Sequence, residues 1–304
     1  MSNEYPVVVY GASGYTGRLV AEHLRDLGVP FIAAGRNRKR IEEAMKLVPG
    51  IENARYQIVE VEHSVEALTK LLTGCKVICN TVGPFMRYAA DVAGACVKAG
   101  VHYLDTTGEQ HVLTTLRDRF GADFAKAGLC LIPSTAYMYG VSEIGARFCL
   151  DTPGVDSLDL TGVAEAVPTV ASTQTILDAV RFPSHYLKDN QLVRYPGIEN
   201  CDVTTRIAKG VRLSVQPVDI AMLRDIGYSA PPSGRTLKAS NWGGSSHPIW
   251  FAQDGRVRNC KMSVAMWNQE LYKKELELER AYKVQLQWIP EAQLAGVLDA
   301  MAAA

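Results

Sequence analysis

Short apolar runs alternate with stretches of helical periodicity through the first half of the chain. The runs at 7–10, 31–34, 56–61, 77–82, 101–104 and 129–132 are brief and bounded by turn-formers, so they read as buried strands. Between them apolar residues recur every three or four positions. Leu19, Val20 and Leu24 mark a first helix from about Thr16, followed by helices at 38–48, 64–72, 88–99 and 112–127. Pro49-Gly50, Gly100 and Gly128 stop three of these, and Ser64 is placed to cap one, with Glu66 in its first turn. Strands separated by helices of this length form right-handed βαβ units. The pattern predicts an α/β fold with a doubly wound, Rossmann-type parallel sheet.

The pattern changes after a helix at 142–150, which runs into Asp151-Thr152-Pro153-Gly154. Residues 155–165 alternate like a strand, 168–175 form a polar loop, and a helix follows at 175–180. Pro183, Pro196, Pro217, Pro231, Pro232 and Pro248 punctuate the rest, with extended pieces at 203–207, 212–215, 236–241 and 249–253. This predicts an α+β domain on a mostly antiparallel sheet, able to cover a ligand cleft and to form a homodimer through an open edge or face. Helices at 270–284 and from Pro290 to Met301 close the chain. The expected organisation is 1–152 for a dinucleotide-binding domain, 153–265 for a substrate or dimerisation domain, and 266–304 for helices packing back on the first domain.

Composition narrows the classes. The chain is 47% hydrophobic over 304 residues, enough for two cores. Lys+Arg and Asp+Glu are both 32, so charge suggests no nucleic-acid partner. No apolar run reaches the length of a membrane span, and Met1–Pro6 lacks the basic and apolar regions of a secretory leader. The seven cysteines are odd in number and several lie in apolar segments, as expected of reduced thiols in a cytoplasmic protein. Cys75 and Cys79 have no nearby His, so no metal site is expected.

The glycines point to a ligand. Gly11, Gly14 and Gly17 lie between the first strand and the first helix, where a dinucleotide fold takes up the pyrophosphate. The spacing is G-x-x-G-x-x-G, a variant of the usual fingerprint. Gly11 allows the sharp turn, Gly14 lets backbone approach phosphate, and Gly17 lets the helix sit close. An NAD-binding fold places an acid near the end of the second strand. Here no acid occurs between Asp26 and Glu42, and the strand ends in Gly35-Arg36-Asn37-Arg38-Lys39-Arg40. Arg grips phosphate bidentately, and cations at a helix start oppose the helix dipole unless an anion is bound. The expected cofactor is NADP(H), with Arg36, Asn37 and Arg38 at its 2′-phosphate.

The segments GASGYTGR, AGRN, NTVGPF and GVHYLDTTGE, in that order, resemble the NADP-binding domain of the saccharopine dehydrogenase-like oxidoreductases, over about residues 5–146. That family includes saccharopine reductases and trans-acting enoyl reductases. The resemblance implies that Gly11, Ser13, Gly14, Tyr15 and Thr16 surround the pyrophosphate and that Arg36 meets the 2′-phosphate. It also implies that Thr81, Gly83, Pro84 and Phe85 border the ribose and nicotinamide. The chain departs from the enoyl reductase pattern after the sixth strand, where it reads Ala136-Tyr137-Met138-Tyr139-Gly140-Val141-Ser142-Glu143.

Ligands of open α/β sheets bind outside the C-terminal ends of the strands. Tyr88, Tyr137 and Tyr139 fall in the loops so selected and are candidate proton donors. Tyr88 either faces the nicotinamide or caps its helix against the sheet, and the Tyr137–Tyr139 pair either donates or packs. Asp105 and Glu109 flank one of these loops, and Asp105 is expected to order its backbone. His102 and His111 read as structural, while His185 and His247 are weaker donor candidates. No Tyr is followed four residues later by Lys, which excludes the usual short-chain dehydrogenase mechanism. The expected activity is NADPH-dependent reduction of an activated C=C bond in a small or medium hydrophobic substrate. C=N or C=O reduction and a non-catalytic NADP(H)-sensing role are the alternatives.

Overall fold

In the computed structural model the apolar runs pair as a parallel sheet. The model describes residues 4–164, 169–179, 181–197, 200–204, 236–242, 244–266, 268–286 and 288–303. The chain divides into two contact units, one holding 4–107 and 112–135, the other 108–111 and the described residues from 136 onward.

The first unit carries β1 (Val7–Tyr10), α1 (Tyr15–Asp26), β2 (Phe31–Gly35), α2 (Arg38–Met45), β3 (Tyr56–Glu60), α3 (Val65–Leu72), β4 (Val77–Asn80), α4 (Phe85–Ala99), β5 (His102–Asp105), most of α5 (Gln110–Lys126) and β6 (Leu131–Ile132). The strand order is β3-β2-β1-β4-β5-β6, all parallel, so the winding reverses between β1 and β4. Because successive strand residues face opposite ways, Val8, Tyr10, Ile32 and Ala34 pack with Leu68, Val92 and Leu116 on one face. Val7, Val9, Phe31 and Ala33 pack with Ala21, Ile41 and Met45 on the other. The Ser64 cap forms, its hydroxyl accepting from the Ala67 N–H at 3.2 Å.

The second unit is built on β7 (Ser157–Ala164), β8 (His185–Lys188), β9 (Gln191–Arg194), β10 (Asn200–Thr204), β11 (Thr236–Asn241) and β12 (Asn259–Met266). Their order is β10-β11-β12-β8-β9, antiparallel throughout, while β7 pairs with β12 in parallel. Its helices are α6 (Tyr137–Leu150), α7 (Val170–Ala179), α8 (His247–Phe251), α9 (Gln269–Leu286) and α10 (Glu291–Ala303).

Several local expectations change. Helix α6 starts at Tyr137, five residues before the sequence suggested. Its Ala146 and Leu150 join Leu158, Leu187, Phe251, Val257 and Cys260, so it belongs to the second core. Residues 249–253, read as extended, begin inside α8, where Pro248 sits in the first turn and lacks only an N–H that no helix bond needs. The central strand β12 is not among the expected elements, because its burial is nearly continuous rather than alternating. The C-terminal helices, expected on the first domain, pack within the second unit. Leu286, Leu294 and Leu298 enclose Leu177 of α7. The extended piece at 212–215 lies outside the described residues.

Candidate active site

The chain leaves β1 at Gly11, whose φ of +92° few side chains tolerate. A Cβ there would stand 2.7 Å from Thr81 Oγ1. Thr81 is fixed in that place because its N–H and hydroxyl both donate to the Tyr10 carbonyl, at 2.8 and 2.9 Å. The Gly14 N–H donates back to the Gly11 carbonyl at 2.9 Å. Gly17 lies against Gly11 O and Ala12 Cα with no room for a Cβ, so it closes the turn on itself. Gly14 caps α1 and has no side chain to bond the first-turn N–H groups, and no acid stands in that turn. Ser13 and Thr16 are half-buried around this end, and Tyr15 is exposed. The arrangement presents a positive helix end and an open glycine face, which fits a dinucleotide pyrophosphate.

The cations after β2 separate into roles. The Arg38 guanidinium donates to the Ile58 carbonyl at 3.0 Å and lies 3.7 Å from Glu42. Its backbone N–H donates to Glu60 Oε2 at 2.8 Å, and the Asn37 side chain caps Arg40 N at 2.9 Å. Glu60 therefore supplies, at this helix start, the acid that the stretch between Asp26 and Glu42 lacks. It ends β3, directly beside Gly35 in the parallel register. Arg36 makes no ion pair among the described residues. Its Cζ lies 6.0 Å from the centre of the Tyr88 ring.

Tyr88 in turn takes the edge of His63, with ring centres 4.9 Å apart. His63 Nδ1 is 2.9 Å from the Tyr10 hydroxyl and Nε2 is 3.4 Å from Asp91 Oδ2. Burial pushes the Tyr10 pKa up to about 12, so that phenol remains a donor. Tyr88 thus stands with the residues that follow β2 and β3. Phe85, expected at the nicotinamide, is buried in the core.

Past β4 and β5 a buried carboxylate ties the loops together. Asp105 Oδ1 accepts from the N–H groups of Thr107 and Ser134, both at 2.9 Å. Its Oδ2 accepts from the Tyr103 hydroxyl at 2.6 Å, and that oxygen accepts from Asn80 Nδ2 at 3.2 Å. Asn80 Oδ1 accepts from the Val82 N–H at 3.1 Å, so the loop carrying Gly83 and Pro84 hangs on the same network. Burial raises the Asp105 pKa to about 6, against the lowering effect of these donors.

In the second unit, Tyr139 is buried in the first turns of α6. Its hydroxyl accepts from Trp242 Nε1 at 3.0 Å, and a Cβ on Gly108 would stand 2.7 Å from it. Burial holds its pKa well above the usual phenol value, and the Glu109 charge adds to this. His247 is also buried, and its Nε2 donates to the Tyr139 carbonyl at 3.2 Å. Burial lowers its pKa, so the ring is neutral. Gln110 clamps the surrounding backbone: its amide donates to the His185 and Ser245 carbonyls at 2.9 and 2.7 Å and accepts from the His185 N–H at 2.8 Å. The Tyr137 side chain lies outside the described residues.

The sequence reading did not single out Glu60, His63 or Gln110. Register across β2 and β3 could have indicated Glu60; nothing local announces the others.

A family model described as the saccharopine dehydrogenase NADP-binding domain matches residues 7–128. A second, described as a family of unknown function (DUF5938), matches 140–217 and 223–304, more than half of the chain. The chain belongs to DUF5938. Its first unit is a saccharopine dehydrogenase-like NADP-binding domain, and NADP is the cofactor that this domain binds. A trans-acting enoyl reductase of Mycobacterium tuberculosis (strain H37Rv) is 32% identical over 132 residues, 42% of this chain and 31% of the relative. A lipid droplet localized protein of Caenorhabditis elegans is 26% identical over 154 residues, 48% of this chain and 36% of the relative. The chain thus spans about a third of the length of these relatives. Among solved structures, apo saccharopine dehydrogenase (L-Glu forming) from Saccharomyces cerevisiae shares the fold. Its TM-score is 0.53 at 13% identity, over 85% of this chain and 54% of that one. Among the described residues no helix of this DUF5938 member is long and apolar enough to cross a membrane.

Proposed function

We propose that this DUF5938 protein is an NADPH-dependent reductase of an activated C=C bond, an enone or enoyl group, in a small or medium hydrophobic substrate. The likeness of its first unit to trans-acting enoyl reductases supports the reaction class. The observation that carries the chemistry is the Tyr139 hydroxyl. It accepts a hydrogen bond from Trp242, and its own proton has no acceptor among the described residues. NADPH, when bound, supplies the hydride. Reduction of a conjugated double bond leaves negative charge on the substrate oxygen, which a neutral hydroxyl both stabilises and protonates. Burial keeps Tyr139 protonated, and the Trp242 N–H withdraws electron density from its oxygen. The α1 end orients the pyrophosphate, and Thr81 holds the turn that carries it.

The test is NADPH oxidation followed at 340 nm across panels of enones, imines and ketones. Turnover with enones or enoyl thioesters is expected. Turnover confined to imines or ketones overturns the C=C assignment, and tight NADPH binding without oxidation by any panel overturns catalysis. Cytoplasmic location and pairing of two copies through β9 or β10, the ends of the second sheet's path, are parts of the same proposal. Size-exclusion chromatography with light scattering tests the pairing.

A further inference from the structure

We infer that Tyr88 and His63 are specificity-determining residues for the 2′-phosphate of the cofactor, acting through Arg36, rather than parts of the proton-transfer machinery. This rests on the reading of Arg36 as the phosphate-binding cation. In a doubly wound fold the residue that recognises the adenosine ribose follows β2. Arg36 occupies that place, exposed and without a carboxylate among the described residues. A guanidinium on a flexible stem loses rotamer freedom when it grips a phosphate, and anything that aligns it beforehand lowers that cost. Here the alignment comes from an aromatic face, the Tyr88 ring 6.0 Å from Arg36 Cζ.

That ring is itself fixed from the other side. His63 meets it in an edge-to-face contact, and His63 is pinned between the Tyr10 hydroxyl and Asp91. Nδ1 faces the hydroxyl and Nε2 faces Asp91, so both ring nitrogens have a polar neighbour that holds the ring plane. The relay joins the end of β1, the residues after β2 and β3, and α4, all within one unit. Glu60 accepts from the Arg38 N–H and forms no ion pair with Arg36, and the Arg38 guanidinium donates to the Ile58 carbonyl, which leaves Arg36 as the cation beside the Tyr88 ring.

A ring that aligns a cation can be replaced by another ring but not by an aliphatic chain of similar size. Fluorescence titration of the full chain with NADPH, NADH and 2′,5′-ADP therefore separates the roles. Tyr88→Phe should bind all three as the parent does. Tyr88→Leu should weaken NADPH and 2′,5′-ADP by about three- to thirtyfold, the range of a cation–π contact, and leave NADH unchanged. His63→Leu should show the same selective loss to a smaller degree, with the thermal midpoint measured alongside to establish folding. Equal affinities in Tyr88→Phe and Tyr88→Leu would overturn the inference. So would an equal loss for NADPH and NADH in Tyr88→Leu. Arg36→Ala is the reference: if it weakens NADPH and NADH alike, the placement of the 2′-phosphate fails first. If Arg36→Ala discriminates and Tyr88→Leu does not, the inference alone fails.

Discussion

The Tyr103 hydroxyl donates to Asp105 Oδ2 at 2.6 Å, and neither side chain reaches solvent. A carboxylate placed there orders three loops at the C-terminal ends of β4, β5 and β6, but its charge is paid for in desolvation. Its pKa is raised from 3.8 to about 6, so the folded state holds the proton more tightly than the unfolded chain does. Stability contributed by this group is therefore present in full below pH 3.8 and lost as pH rises through about 6. Asp105→Asn removes this dependence. Urea unfolding of the two proteins from pH 4 to 7 should show the parent losing up to about 3 kcal/mol relative to the variant across that window. Parallel pH profiles would show that Asp105 titrates normally.

Two glycines of the first turn should fail differently. Gly14 has φ −78° and only the Gly11 carbonyl near its missing Cβ, at 3.2 Å. Gly14→Val should keep the fold and lose NADPH affinity by at least about tenfold, because the branched side chain fills the face open to phosphate. Gly17→Ala drives a Cβ into backbone atoms of Gly11 and Ala12 and should lower the thermal midpoint as well. Calorimetric titration beside thermal unfolding measures both. Unchanged affinity in folded Gly14→Val places the phosphate cradle elsewhere.

Tyr139→Phe should lower turnover by about 10²–10⁴-fold at unchanged NADPH affinity, as loss of a general acid does. Trp242→Phe removes the hydrogen bond to that hydroxyl together with part of the ring, keeps the phenol proton, and should cost less. Single-turnover rates of both variants give the comparison. Full activity in Tyr139→Phe would assign the proton to another donor.

The C-terminal helices should matter to the second core. Leu298 is fully buried with Leu177, Leu286 and Leu294. Leu298→Ala should destabilise that unit by about 2–5 kcal/mol, the usual cost of such a cavity. Urea unfolding with Trp242 and Trp250 as fluorophores reports it. A change below about 1 kcal/mol would mean that the cluster relaxes to fill the space.

The sequence by itself determined what local pattern and fixed chemistry can carry. Strand runs, helix periods and glycine turns depend on neighbours a few residues away. For that reason β1 to β6 and the glycine turn before α1 were legible in the order of the residues alone. The tertiary structure decided what depends on residues distant in the chain. Glu60 reaches α2 only because β3 pairs beside β2, and Tyr88 meets Arg36 only because β4 and β2 flank β1, which starts α4 near the end of β2. Trp242 reaches Tyr139 across more than a hundred residues. Strand β12 carries no alternation to read, because it is covered on both faces. Helix α6 moved to the second unit because hydrophobic burial is non-directional: Ala146 and Leu150 fit any apolar surface, and only tertiary packing chooses which.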